Sequence, residues 1–145
     1  MKRTLLLLLM TLGIAVGCGP AVPVHLAGIG NQSWQLVKFQ GSDGTVLMPD
    51  DKAKYTVAFT NNGNLRTRFD CNRGRGVWIL NGPNQIRFGP LEVTREPCVP
   101  GPFYDHLVKR WPYVRSYVVK DGRLFLSVID NGGTYEFEPI AAARP

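Results

Sequence analysis

The sequence predicts a mainly β fold, a single small antiparallel sheet that is curled or barrel-like, with one short helix near residues 102–111. Two observations carry this prediction. The 145 residues include sixteen Gly and eleven Pro, which separate short strands and favour tight turns. Between these turn residues, apolar and polar side chains alternate in short runs, as is typical of strands with one buried face. The length suits one ordinary domain with one hydrophobic core.

The first strand is expected from Trp34 to Phe39, with a slip of one residue in the alternation before Phe39. It ends where Gly and Asp supply turn residues. Further strands are expected at residues 55–59, 65–71, 77–80, 85–88, 91–94, 115–119, 124–129 and 135–137.

A hairpin turn is predicted at Asn61-Asn62-Gly63-Asn64, because these residues tolerate positive φ. In the strand that returns from this turn, Arg66 and Arg68 alternate with apolar residues and are therefore expected on the outer face. Gly74 and Gly76 are expected to break the strand pairing that follows.

The helix is predicted from one apolar stripe. Phe103, Leu107 and Trp111 are spaced four residues apart and so share a helix face. Pro102 fits the first helical turn, and Pro112 ends the helix.

The N-terminus is typical of an export signal, because Lys2 and Arg3 precede a short apolar run and small residues lead to Cys18. The apolar run is shorter than the roughly 20 residues of a membrane-spanning helix, which makes that alternative weaker. Cys18 directly after Gly17 resembles a bacterial lipobox and predicts lipidation. The predicted organisation is a signal peptide at residues 1–17, a lipidated Cys18 with a flexible tether at 18–32, a domain at 33–139 and a disordered tail at 140–145.

The charge favours anionic partners. The whole chain has a formal net charge of +6, and loss of residues 1–17 would leave 15 basic and 11 acidic residues, or +4. Such an excess favours lipid headgroups, anionic polymers or an acidic protein. Nucleic acid is not expected as a partner of an exported protein.

Cys71 and Cys98 are expected to form a disulfide, because two cysteines remain in an oxidising compartment once Cys18 is lipidated. The bridge would close a loop of 28 residues and stabilise the domain by about 3 to 4 kcal/mol on the loop-entropy view. Two buried free thiols are the alternative.

No enzyme, metal or cofactor is predicted. The sequence has no Gly-x-Ser-x-Gly nucleophile elbow, and the adjacent Asp105 and His106 cannot orient each other as a catalytic triad requires. His106 has no ligand partner at metal-site spacing and is expected to be a solvated or capping side chain.

The candidate binding residues are basic. Arg66, Arg68, Arg73 and Arg75, with Arg87 on a neighbouring strand, are expected to form a positive stripe that docks an anionic partner. In the alternative, these are ordinary solvated positions, and Arg66 or Arg68 pairs with Asp70, Glu136 or Glu138.

A pocket for a small apolar ligand is a second candidate site. It would be lined by Trp78, Phe103, Tyr104 and Trp111, for which core packing is the alternative role.

Short features follow one another along residues 33–138 in this order: Trp34-Gln35-Leu36, Phe59, Asn62-Gly63, Asp70-Cys71-Asn72, Gly76, Thr94, Cys98, Leu107 and Gly122-x-Leu124-x-Leu126. This order resembles the META domain (HslJ-like) family of bacterial envelope proteins. The resemblance implies a curled antiparallel sheet with one helix packed across it, and no catalytic mechanism. The chain departs from the family pattern at Asp70, where Gly is usual, and at Pro97, where a small or apolar residue is common.

Together these observations predict a non-enzymatic envelope lipoprotein with a META-like binding or stress-tolerance domain. Gly19, rather than Asp, follows Cys18, and by resemblance to lipoprotein sorting this predicts the outer membrane, facing the periplasm. The alternative function is inhibition of an envelope hydrolase such as lysozyme, whose acidic cleft would accept the arginines.

Overall fold

The computed structural model describes residues 28–141 apart from Cys98 and Pro100. These residues form one α-helix, α1 (Pro102–Arg110), and two single-turn 3₁₀ helices, Lys52–Lys54 and Trp111–Tyr113. The strands are β1 (Gln32–Gln40), β2 (Val46–Leu47), β3 (Tyr55–Phe59), β4 (Asn64–Phe69), β5 (Asn72–Leu80), β6 (Ile86–Phe88), β7 (Glu92–Val93), β8 (Val114–Lys120), β9 (Arg123–Val128) and β10 (Thr134–Pro139).

The strands form an antiparallel sheet that is nearly closed into a barrel. Eight of them follow the spatial order β6-β5-β4-β3-β1-β10-β9-β8, while β2 pairs with β1 and β7 with β5. The two ends of this order meet, because Gln85 forms a β-bridge with Ser116 and the Tyr117 amide donates to the Asn84 carbonyl at 3.0 Å. The predicted mainly β class with one short helix is confirmed.

The slip in the first strand is a β-bulge. The pairing of β1 with β10 shifts between Leu36 and Lys38, so that Trp34, Leu36 and Phe39 are all buried. One extra residue at a bulge restores the inward direction of the next apolar side chain. The predicted change of alternation is confirmed.

Gly74 and Gly76 do not break the strand pairing, and this prediction was wrong. β5 continues through both residues, with Gly74 opposite Thr67 and Gly76 opposite Leu65 on β4. A Cβ on Gly74 would lie 3.2 Å from Cδ1 of Leu91. The glycines therefore allow the segment before β7 to pack closely over β5, which is a known use of glycine inside a strand.

The helix packs its predicted stripe into the barrel. Phe103, Leu107 and Trp111 are buried, and the Phe103 ring lies 5.5 Å from the ring of Tyr55 on β3. Trp111 stacks on Phe88 of β6 at 4.4 Å. The helix and the 3₁₀ turn that follows it thereby contact β3 and β6, which are three places apart in the sheet order.

The packed domain extends beyond its predicted limits. Ile29, in the expected tether, is fully buried. The amide of Ile140, in the expected tail, donates to the Ser33 carbonyl at 2.8 Å. The predicted signal peptide, Cys18 and residues 142–145 lie outside the described residues, so the predictions for them stay predictions.

Candidate anion-binding surface

Four arginines form a square on the outer face of β4 and β5, and we call them the arginine block. Arg66 lies opposite Arg75, and Arg68 lies opposite Arg73. All four side chains are exposed, because the alternation of each strand turns every second residue outward. Opposite residues are about 5 Å apart between Cα atoms, and neighbours along one strand are about 7 Å apart. Like charges at such opposite positions repel each other.

The arginine block makes no ion pair with any described residue. Arg68 Nε donates to the backbone carbonyl of Asp70 at 3.0 Å, and not to its carboxylate. The alternative pairing of Arg66 or Arg68 with the β10 glutamates does not occur. Those carboxylates pair with other cations, Glu136 with Lys38 and Arg123, and Glu138 with Lys52.

A shallow depression of about 530 Å³ lies beside the arginine block. Arg66, Arg73 and Arg75 line it, together with Glu92 and Thr94. Glu92 lies opposite Arg75 in the pairing of β5 with β7. Sequence reasoning missed Glu92 because the two-residue β7 gives too little alternation to fix its register. Three guanidinium groups against one carboxylate leave this surface positive.

Arg87 does not join the block. It is exposed on β6, opposite Ile79. Ile79 is four residues from Arg75 along β5, which corresponds to about 13 Å of strand. The predicted set of five arginines is therefore a cluster of four and one separate residue.

The corner at Cys71 is tied to the segment around Cys98 on both sides. Asp70 has a positive φ of 58°, a conformation in which Asp is enriched among non-glycine residues. Its carboxylate accepts a hydrogen bond from the Gly101 amide at 2.6 Å. The side-chain oxygen of Asn72 accepts one from the Glu96 amide at 3.0 Å.

Cys71 itself is not a free thiol. Its expected partner, Cys98, lies outside the described residues. The pairing of these two cysteines therefore stays a prediction.

The four aromatic residues of the predicted apolar pocket do not form a single pocket. Phe103 and Trp111 are buried in the core, and Tyr104 packs against it as a partly buried side chain. Their core role, the stated alternative, is the observed one. Trp78 is also buried, but it forms part of the wall of an open groove.

His106 is partly buried and not solvated as expected. Its Nδ1 lies 3.1 Å from the Tyr135 hydroxyl, and its ring lies 4.3 Å from the ring of Phe39 in an edge-to-face contact. Burial lowers the pKa of His106, and the nearby Arg110 charge lowers it further. Burial raises the pKa of Tyr135, which stays protonated and able to donate. The imidazole therefore acts in packing, as a neutral group.

Among residues 28–141, Cys98 and Pro100 excluded, three or more His, Cys, Asp or Glu side chains never gather as a metal site would require. In the same part of the chain, no helix has the length and apolar character needed to cross a membrane.

Comparisons with solved structures show what the fold is similar to. No curated protein matches the chain significantly. Among solved structures, the chain is similar to a protein from Burkholderia xenovorans determined by NMR, with a TM-score of 0.67, 22% identity, and coverage of 79% of this chain and 85% of the other. It is also similar to a DUF4847 family protein from Bacteroides vulgatus, with a TM-score of 0.56, 12% identity, and coverage of 76% and 93%. Both likenesses concern the fold alone.

The sequence itself matches the profile of the META domain over residues 26–141. This range covers all the described residues and most of the chain. META domains are not a known enzyme family. The chain belongs to the META domain family.

Proposed function

We propose that this chain is a non-enzymatic, lipid-anchored envelope protein whose META domain binds an anionic partner through the arginine block. One observation carries the proposal: four exposed arginines face one another in two cross-strand pairs, with no carboxylate paired to them among the described residues. Repulsion within the block costs stability. A bound anion would remove this cost.

The partner is expected to carry closely spaced phosphate or carboxylate groups. A guanidinium group binds either of them through two parallel hydrogen bonds. The two rows of the block are separated by strand spacing, so neighbouring anionic groups on a membrane surface or on a polymer would meet several arginines at once. An isolated small anion would contact only one cross-strand pair of arginines.

The experiment measures binding to vesicles of phosphatidylglycerol mixed with phosphatidylcholine, using the exported form of the chain with Cys18→Ser to remove the lipid anchor. The test variant is Arg66→Gln/Arg75→Gln. The matched control is Lys109→Gln/Lys120→Gln, which removes the same charge from exposed positions outside the block.

The test variant should bind about thirtyfold more weakly at low salt, because each basic residue near an anionic surface contributes roughly 1 kcal/mol. The control should change affinity by less than threefold. Equal losses in the two variants would show that net charge, and not the block, drives binding. Competition by soluble polyphosphate would identify a polymer as an equivalent source of the anionic groups.

The proposed Cys71–Cys98 disulfide is supported by the contacts on either side of it. Asp70 bonds to Gly101 and Asn72 bonds to Glu96, so the chain segments that flank both cysteines lie within hydrogen-bond distance of each other. Mass spectrometry of unreduced protein should give a cross-linked peptide containing both cysteines. Alkylation of both sulfurs without a reductant would contradict the bridge.

The proposed lipid anchor depends on Cys18. Cells fed a labelled fatty acid should incorporate label into the natural chain and not into Cys18→Ser. Equal label in both would rule out lipidation at this residue. Fractionation of the labelled protein would test the proposed outer-membrane location.

The guanidinium groups of the block, which have no carboxylate partner among the described residues, also favour a second candidate function, inhibition of an envelope hydrolase with an acidic cleft, such as lysozyme. The measurement is lysozyme activity in the presence of the exported domain. If lysozyme keeps its full activity at a micromolar concentration of the domain, inhibition is ruled out as a function. The proposal of anion binding would not be affected by that result.

A further inference from the structure

An open groove of about 830 Å³ lies at the end of the barrel where its two sheet edges meet, and we call it the apolar groove. It is bounded by the β3–β4 turn, the end of β5 and the β5–β6 turn, with Tyr117 of β8 on the far side. The mouth of a β-barrel is a recurrent place for small-ligand sites, and the volume lies within the range usual for them.

The wall of the apolar groove is hydrophobic. Ile79 lines the groove and is 56% exposed overall, and Leu80 beside it is partly buried. Tyr117 and Trp78 form further parts of the wall. No Asp, Glu, Lys, Arg or His is among the described residues that line the groove. In a chain of net charge +6, this surface stands out as uncharged.

Two side-chain amides lie at the rim of the groove. Asn61 and Asn84 line the groove, and their side chains make no hydrogen bond with any described residue. Asn62 differs, because its side-chain oxygen accepts bonds from Thr60 and Asn64. The rim therefore offers both donors and acceptors above an apolar wall.

The walls are held in place by the fold. The Trp78 indole donates to the Thr60 carbonyl at 3.2 Å, and its ring lies 5.3 Å from Phe59, edge to face. The Tyr117 amide bonds to the Asn84 carbonyl across the closure of the barrel. A site with fixed walls loses little conformational entropy when a ligand binds.

We propose that the apolar groove binds an uncharged amphipathic small molecule, with its apolar body against Ile79 and Leu80 and its polar edge at Asn61 and Asn84. An anionic ligand would lose hydration against the apolar wall, with only Arg87, which lies opposite Ile79 but does not line the groove, as a counter-charge. The proposal is independent of the arginine block, because none of the four arginines lines this groove.

The experiment uses N-phenyl-1-naphthylamine, an uncharged fluorophore, with the exported form of the chain carrying Cys18→Ser so that neither lipid nor detergent competes. Its sulfonated analogue, 8-anilinonaphthalene-1-sulfonate, tests the charge preference. The test variant is Ile79→Ser. The matched control is Val77→Ser, which removes a side chain of similar exposure from the same face of β5 but outside the groove.

The uncharged probe should bind saturably, and Ile79→Ser should weaken binding about tenfold through lost apolar contact. Val77→Ser and Arg66→Gln/Arg75→Gln should leave affinity within twofold. The backbone amide NMR signals of Asn61, Asn84 and Tyr117 should shift when the uncharged probe is added to the domain without the serine or arginine substitutions. The proposal is overturned if both serine variants behave alike, if these signals do not move, or if the sulfonated probe shows the same dependence on Ile79. Retained probe binding in the arginine variant would separate this site from anion binding.

Discussion

A Cβ atom at Gly74 would overlap Oγ1 of Thr67, its partner across the β4–β5 pairing, and would also approach Leu91. Thr67 is buried between these neighbours and has little room to turn. Gly74→Ala should therefore lower the free energy of unfolding by about 1 to 3 kcal/mol, as overpacking does. Urea denaturation measures this. Thr67→Ala/Gly74→Ala should lose less than the sum of the single losses, and strict additivity would contradict direct contact.

Thr67→Val should stabilise the domain. The Thr67 hydroxyl is buried without a hydrogen-bond partner among the described residues, so it has lost its hydration without compensation. Valine has nearly the same shape and no polar atom, and the expected gain is about 1 kcal/mol. Thermal unfolding checks it, with Thr56→Val on the partly exposed side of β3 as the control. A lower melting temperature for Thr67→Val would show that the hydroxyl has a partner in solution.

Arg73→Thr should stabilise the domain at low salt, because it removes a like charge directly opposite Arg68. The expected gain is about 0.5 kcal/mol. It should vanish in 1 M salt, where the screening length is about 3 Å. Arg87→Thr is the matched control, since Arg87 faces Ile79 and not another arginine. Equal gains in both variants would mean that repulsion within the arginine block is not responsible.

Stability should fall as the pH is lowered from 7.5 to 5. Burial lowers the pKa of His106 below its usual 6.5, so the unfolded chain binds this proton more readily than the folded domain. The stabilisation from neutral His106 is complete above pH 6.5 and is lost as the pH falls through the lowered pKa. Melting temperatures of His106→Gln should depend less on pH across this window. Carboxylates with lowered pKa, such as Glu138, titrate at lower pH. An unchanged pH profile in the variant would contradict this role.

Strand positions followed from the sequence where one face of the sheet is buried. Leu65 and Phe69 are inside and Arg66 is outside, because a period of two residues is fixed by backbone geometry. The prediction failed at Gly74, since a glycine in a turn and a glycine under close packing have the same local sequence signal. Leu91, seventeen residues away, decides between them. Such contacts between distant segments cannot be derived from local patterns.

The candidate sites were predictable to different extents. Alternation placed Arg66 and Arg68 outside, but their register with Arg75 and Arg73 depends on a hairpin of defined length. The apolar groove was not foreseen as a site, because its lining comes from two turns and two strands that are separate in the sequence. Its rim amides belong to turns that the sequence marked only as changes of chain direction.

The chain enters and leaves the barrel at the same end. Asn31 Oδ1 accepts a hydrogen bond from the backbone amide of Asn61 at 3.0 Å, and the backbone amide of Ile140 donates one to the Ser33 carbonyl. Asn61 also lines the apolar groove. The beginning of the described chain and the groove are therefore neighbours.

This neighbourhood limits the distance between the groove and a membrane that holds the chain through Cys18. Cys18 precedes Gly28 by ten residues, and a stretch of that length spans at most about 35 Å. An acyl chain on Cys18, as proposed, would keep Gly28 within that distance of the bilayer, and the groove lies beside the beginning of the described chain. A solute partitioned into the lipid would then have a short aqueous path to Ile79, and its supply would be set by the membrane rather than by the surrounding fluid.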